Sequence, residues 1–147
     1  MRPPDRARMK AAVAEFLQAA GLDLGDVNLR ETPERVMAAW ADEFLDGYGK
    51  DPRAVLSDSF PAPGGREGEL VVVTGLQFHS ACPHHLLPYR GVAHVAYLPS
   101  QGRIVGLSKL ARIVDVFAKR LQVQERMSSY VFRACWLIIT CIGVPPS

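Results

Sequence analysis

Met9, Val13, Phe16, Leu17 and Ala20 recur at helical spacing between residues 5 and 20, and Gly21 is placed to end the turn. This pattern predicts an amphipathic helix. A second start signal comes at Thr32-Pro33-Glu34, where Thr32 can cap, Pro33 suits the first helical position and Glu34 complements the helix dipole. Val36, Met37, Trp40 and Phe44 then form one apolar stripe that ends at Gly47, read as packing rather than as a ligand box. Pro61 to Gly68 holds two Pro and three Gly, which predicts a loop between this helical arm and the remainder of the chain.

Beyond the loop the period changes. Leu70 to Val73 is a β-branched run, and Gly91 to Leu98 is a second extended segment, stopped by Pro99 and turned by Ser100-Gln101-Gly102. Ile104 to Leu107 is expected to extend the same sheet. Ser108 is placed to cap the most regular helix in the chain, with Leu110, Ile113, Val114, Phe117, Ala118 and Leu121 on its core-facing side. The pattern thus predicts an α+β chain.

Composition adds few constraints. At 147 residues and 48% hydrophobic content the chain fits one globular domain with its own core. A net charge of +2, with acids interspersed among the basic residues, gives no reason to expect nucleic acid as a partner. Three cysteines and an opening Met-Arg-Pro-Pro-Asp with no apolar run disfavour secretion and a disulfide framework, so a cytoplasmic location is expected.

Candidate chemistry lies between the two extended segments, in Ser80-Ala81-Cys82-Pro83-His84-His85. A thiolate at Cys82 and an imidazole at His85 can grip one ion from a tight turn, and this N/S pair points first to zinc. His84 is then left over as a base titrating near neutral pH. The competing reading is a buried cysteine beside turn polars. A second cluster is the flank of the later helix, where Lys109, Arg112, Lys119 and Arg120 project together and Ser108 and Lys109 sit in a first turn that favours an anion. Taken by itself, that flank reads more commonly as a solvated basic face. In Gln122-Val123-Gln124-Glu125-Arg126, the Glu125 carboxylate can accept two N–H groups of a guanine edge, or can simply pair with Arg126 or Arg120.

Thr32-Pro33-Glu34-Arg35-Val36, Gly47-Tyr48, Cys82-Pro83-His84-His85, Ala96-Tyr97-Leu98-Pro99, Gly106-Leu107-Ser108-Lys109-Leu110 and Gln122-Val123-Gln124-Glu125-Arg126, in this order, resemble GTP cyclohydrolase I. The resemblance implies Zn2+ on Cys82 and His85, acid–base catalysis by His84, the triphosphate on Ser108, Lys109 and Arg112, and guanine on Gln124 and Glu125. It implies hydrolysis of GTP to 7,8-dihydroneopterin triphosphate and formate, the entry to tetrahydrofolate synthesis. Water adds at C8 of the purine, the imidazole ring opens, formate leaves, and the ribose carbons rearrange to close the pterin. It further implies a tunnelling fold, antiparallel strands plus a helix pair, assembled into rings that usually form decamers with active sites between subunits. The arm would occupy residues 1–60 and the catalytic domain 61–147.

Two departures stand out. Pro83 replaces the glutamate of the usual Cys-Glu-His-His signature. From Met127 onward the family's His-x-Cys-Met segment and Arg-Gly are not found, so the third zinc cysteine, a further histidine and a phosphate-binding arginine lack counterparts. The run from Met127 to Ser147 is interrupted by Arg133, and its apolar stretch is too short to span a bilayer. It is read as an altered or truncated end, or as a helix or strand that brings Cys135 or Cys141 to the metal. The alternative to an active enzyme is an inactive remnant that binds nucleotide or joins an intact copy.

Overall fold

The computed structural model describes residues 3–57, 59–62, 69–99, 103–135 and 138–143. Helix α1 (Arg6–Ala19) starts where the Asp5 side chain accepts a hydrogen bond from the Arg8 N–H at 3.0 Å. It ends as expected at Gly21, whose φ of +80° is open to glycine without strain. Helix α2 (Thr32–Ala39) continues into a π-helical turn (Trp40–Phe44) and a 3-10 turn (Asp46–Gly49). Thr32 does not cap it. Glu31 stands at that position without a side-chain capping bond, its carboxylate accepting from Arg35 instead, and the Thr32 hydroxyl turns back to the Asn28 carbonyl at 3.4 Å.

A short helix α3 (Pro52–Val55) leads to strand β1 (Ser59–Pro61), which the sequence pattern did not reveal. Strand β1 pairs antiparallel with β4 (Arg103–Val105). The segment at Ile104 therefore forms a separate two-stranded sheet rather than extending the main one. The Tyr97 hydroxyl links the two sheets, donating to the Val105 carbonyl at 3.0 Å and accepting from its N–H at 2.9 Å.

The main sheet is a long hairpin of β2 (Val71–Ala81) and β3 (Pro88–Tyr97), flanked on its β3 side by β5 (Ile138–Gly143). The register slips between Val73 and Leu76, where Gly75 adopts φ +74°, so the apolar pattern breaks although the strand continues. On β3, Gly91, Ala93, Val95 and Tyr97 face inward while Arg90 and His94 are exposed. Gly91 is required because the Phe78 ring occupies the space a Cβ would need.

Helix α4 (Leu107–Ala118) packs on β2 and buries Leu110, Ile113, Val114, Phe117 and Ala118 as the spacing predicts, with Leu121 half-buried beyond its end. Its N-cap is Gly106, so Ser108 lies inside the first turn and is exposed rather than capping. Helix α5 (Gln124–Cys135) adds Met127 and Val131 to the same core, so part of the run after Met127 is an amphipathic helix and Ile138–Gly143 is a strand. No described helix is long and apolar enough to cross a membrane.

Candidate functional site

The loop joining β2 to β3 carries the candidate ligands. It is closed by the Cys82 N–H on the Leu87 carbonyl and the Leu86 N–H on the Cys82 carbonyl, both at 2.9 Å. Leu86 adopts φ 55°, a left-handed conformation that costs a leucine about 1–2 kcal/mol. The closing bonds hold it there. Such local strain is common where a loop must present side chains in a set arrangement.

Cys82 Sγ lies 3.8 Å from His85 Nδ1 and 3.9 Å from His84 Nδ1. Bonds of about 2.3 Å to sulfur and 2.0 Å to nitrogen place two tetrahedral zinc ligands roughly 3.6 Å apart, so the donor pair has the spacing and softness that zinc requires. Distance alone does not distinguish the two histidines. The His84 backbone N–H, followed by the His85 side chain and backbone, holds the Cys82 thiol below its ordinary pKa, which favours the thiolate a metal binds. Among the described residues, no three His, Cys, Asp or Glu side chains converge on one point. The Cys135 and Cys141 side chains, the expected substitutes for a third ligand, lie outside what is described, as does that of Gln124.

The segment after α4 is docked against this turn. The Gln122 N–H donates to the Ala81 carbonyl at 3.0 Å, the Ser80 hydroxyl to the Arg120 carbonyl at 3.3 Å, and the Tyr89 hydroxyl to the Gln122 carbonyl at 3.2 Å. The buried Gln122 amide donates to the Phe117 carbonyl at 3.0 Å and so satisfies one open carbonyl at the end of α4. Glu125 is exposed in the first turn of α5, directly after this docked segment. A cleft of about 430 Å³ lies here, lined by Pro83, Gln122, Arg126 and Tyr130 among others.

Ser108, Lys109 and Arg112 are brought together, but elsewhere. They occupy the N-terminal end of α4, with Ser108 and Arg112 exposed and Lys109 half-buried. The helix rises about 15 Å between Ser108 and Ala118 at 1.5 Å per residue, and the Cys82 turn adjoins its other end. Arg120 does not belong to the basic flank. Its Nε donates to the Gly47 carbonyl at 3.0 Å and its NH2 group to the Lys50 carbonyl at 3.2 Å, with the guanidinium over the Phe117 ring. Burial pushes its pKa down. Lys119 pairs with Asp115 at 3.5 Å.

The residues missed from the sequence are Tyr89 and the structural roles of Gln122 and Arg120. All three depend on bonds across long sequence separations, which spacing does not reveal.

A sequence profile of GTP cyclohydrolase I matches residues 9–145. The GTP cyclohydrolase 1 of Streptococcus pyogenes serotype M49 is 44% identical over 127 residues, covering 86% of this chain and 63% of that protein. The Leifsonia xyli protein of the same name is 46% identical over 127 residues, covering 86% and 65%. That of Streptomyces griseus is 45% identical over 141 residues, covering 95% and 68%. The chain thus spans roughly two thirds of the length of these curated relatives. With the profile matched along nearly its whole length, this chain belongs to the GTP cyclohydrolase I family.

Proposed function

We propose that this chain carries out the reaction its family name describes: zinc-dependent hydrolysis of GTP to 7,8-dihydroneopterin triphosphate and formate, the first step towards tetrahydrofolate. The observation that carries this reading is the docking of the Gln122 peptide onto the strands that flank the Cys82 turn. On this reading Glu125, three residues beyond Gln122, is the carboxylate that reads guanine beside the Cys82 and His85 donors.

In this reading Cys82 and His85 hold the ion, which when bound supplies water that is nucleophilic near neutral pH. His84, exposed next to the pair, accepts and returns protons as water adds at C8 and the C8–N bonds break. C8 departs as formate, with one water consumed overall. Glu125, with Gln124 beside it, accepts the N–H groups of the guanine edge and orients the purine. Ser108, Lys109 and Arg112 meet the triphosphate, where the first turn of α4 and two cationic side chains favour an anion. Because these three stand at the opposite end of α4 from the Cys82 turn, a neighbouring subunit would complete each site, as ring assembly requires. A cytoplasmic setting suits a soluble nucleotide substrate.

The test is turnover of GTP by the purified protein with added zinc, followed by pterin fluorescence after oxidation and by formate release. Product in the wild type that disappears in His84→Ala supports the reading. GTP binding without product would instead make this chain a nucleotide-binding relative that has lost the chemistry.

A further inference from the structure

We propose that Tyr89 is a positioning residue for purine recognition: its hydroxyl, bonded to the Gln122 carbonyl, fixes Glu125 relative to the Cys82 turn and so sets the preference for guanine over hypoxanthine. This deepens the function proposed above and rests on Glu125 being the purine-reading carboxylate.

The geometry behind it is a peptide gripped from two strands. Ala81 is the last residue of β2 and Tyr89 the second of β3, so they flank the ligand turn on either side. Ala81 accepts from the Gln122 N–H at 3.0 Å, and Tyr89 donates to the carbonyl of that same residue at 3.2 Å. Gln122 is 5% exposed and its side chain is tied to Phe117, which limits pivoting of the segment about it. Glu125 lies three positions later, at the start of α5. The Tyr89 ring is itself braced, edge-on to Phe78 with centroids 6.3 Å apart. Burial, together with the charges of Cys82 and Glu125, pushes the Tyr89 phenol up, so it remains a donor at neutral pH.

A carboxylate that reads two adjacent N–H groups must match both at once, and small displacements sacrifice one of them. Hypoxanthine lacks the exocyclic amine and tests that match directly. Removing the Tyr89 hydroxyl frees the Gln122 carbonyl without altering the ring packing. The purine-reading carboxylate then loses its fixed placement while the fold persists.

The experiment compares equilibrium binding of GTP and inosine triphosphate to the wild type, Tyr89→Phe and Tyr97→Phe. Tyr97→Phe is the control, because it too loses hydroxyl bonds to backbone, at Val105, but away from the site. The wild type is expected to prefer GTP by about tenfold or more, the scale of a bidentate base contact. Tyr89→Phe is expected to reduce that preference below about threefold, while Tyr97→Phe keeps the wild-type ratio. A wild-type ratio in Tyr89→Phe overturns the inference and leaves the guanine reading intact. No preference in the wild type overturns both. Amide exchange gives a readout that needs no nucleotide: faster exchange over Gln122–Arg126 in Tyr89→Phe, with α4 unchanged, supports the strut, and unchanged exchange there overturns it.

Discussion

Helices α4 and α1 are of similar length, 12 and 14 residues, but they are held in the molecule in different ways. Helix α4 buries six side chains, five of them in the core shared with the hairpin and α5. Helix α1 buries none. It leans on α2, with Met9, Val13 and Leu17 half-buried, and its N-terminal half is pinned by exposed ion pairs of Arg6 with Asp42 and Lys10 with Glu34. Phe16, expected in its apolar stripe, is 71% exposed. Both stripes look alike as sequence periodicity, so periodicity reports the capacity to bury a face and not whether a partner is present to bury it. The candidate site belongs to the region fixed by burial: the Cys82 turn and Gln122 meet at the C-terminal end of α4.

The sharpest way to break this contrast is a cavity in α4. Ile113→Ala, at a fully buried position, is expected to cost about 2–5 kcal/mol in chemical denaturation. Next comes Gly47→Ala, where a Cβ would stand 2.6 Å from the Lys119 carbonyl oxygen and nearer still to that of Val116. A loss of about 1–3 kcal/mol is expected from overpacking, because the Gly47 N–H bonded to Lys119 at 2.9 Å leaves no slack.

The arm should respond far less. Phe16→Ser is expected to change stability by no more than about 0.5 kcal/mol, as for other surface substitutions. Arg6→Ala should leave the unfolding midpoint in place and only speed amide exchange in α1, since an exposed pair is screened by water and salt. A large loss of stability in either variant would mean that α1 is packed more tightly than its exposure indicates.

A titration sharpens the site side of the comparison. The folded-state pKa of Cys82 is depressed, so its contribution to stability is present above the ordinary thiol range and declines as pH falls through the lowered value. In metal-free protein, alkylation of Cys82 should therefore begin at lower pH than for a free thiol, and His85→Ala should move the profile back up. An unchanged profile in His85→Ala would show that His85 does not act on the thiolate.

Much of the core was legible because α4 repeats its apolar residues at an unbroken helical period and β3 alternates cleanly. The inner half of β2 was not, since Thr74-Gly75 interrupts the pattern at a bulge and His79-Ser80 reads as polar although Ser80 is buried. Strand β1 escaped notice because three residues are too few to show a period. At the site, the Cys82 and His85 spacing is local and could be read directly. The tethers that bring Gln122 to Ala81 and Tyr89, and the diversion of Arg120 to Gly47 and Lys50, are long-range contacts that only the folded chain displays.

The most direct test of the account is the zinc content of purified protein, measured by atomic emission for the wild type and Cys82→Ser. Zinc that co-purifies with the wild type and is lost from a folded Cys82→Ser variant is the predicted result. Equal zinc in both proteins would contradict the claim that the Cys82 turn is the metal centre of this chain.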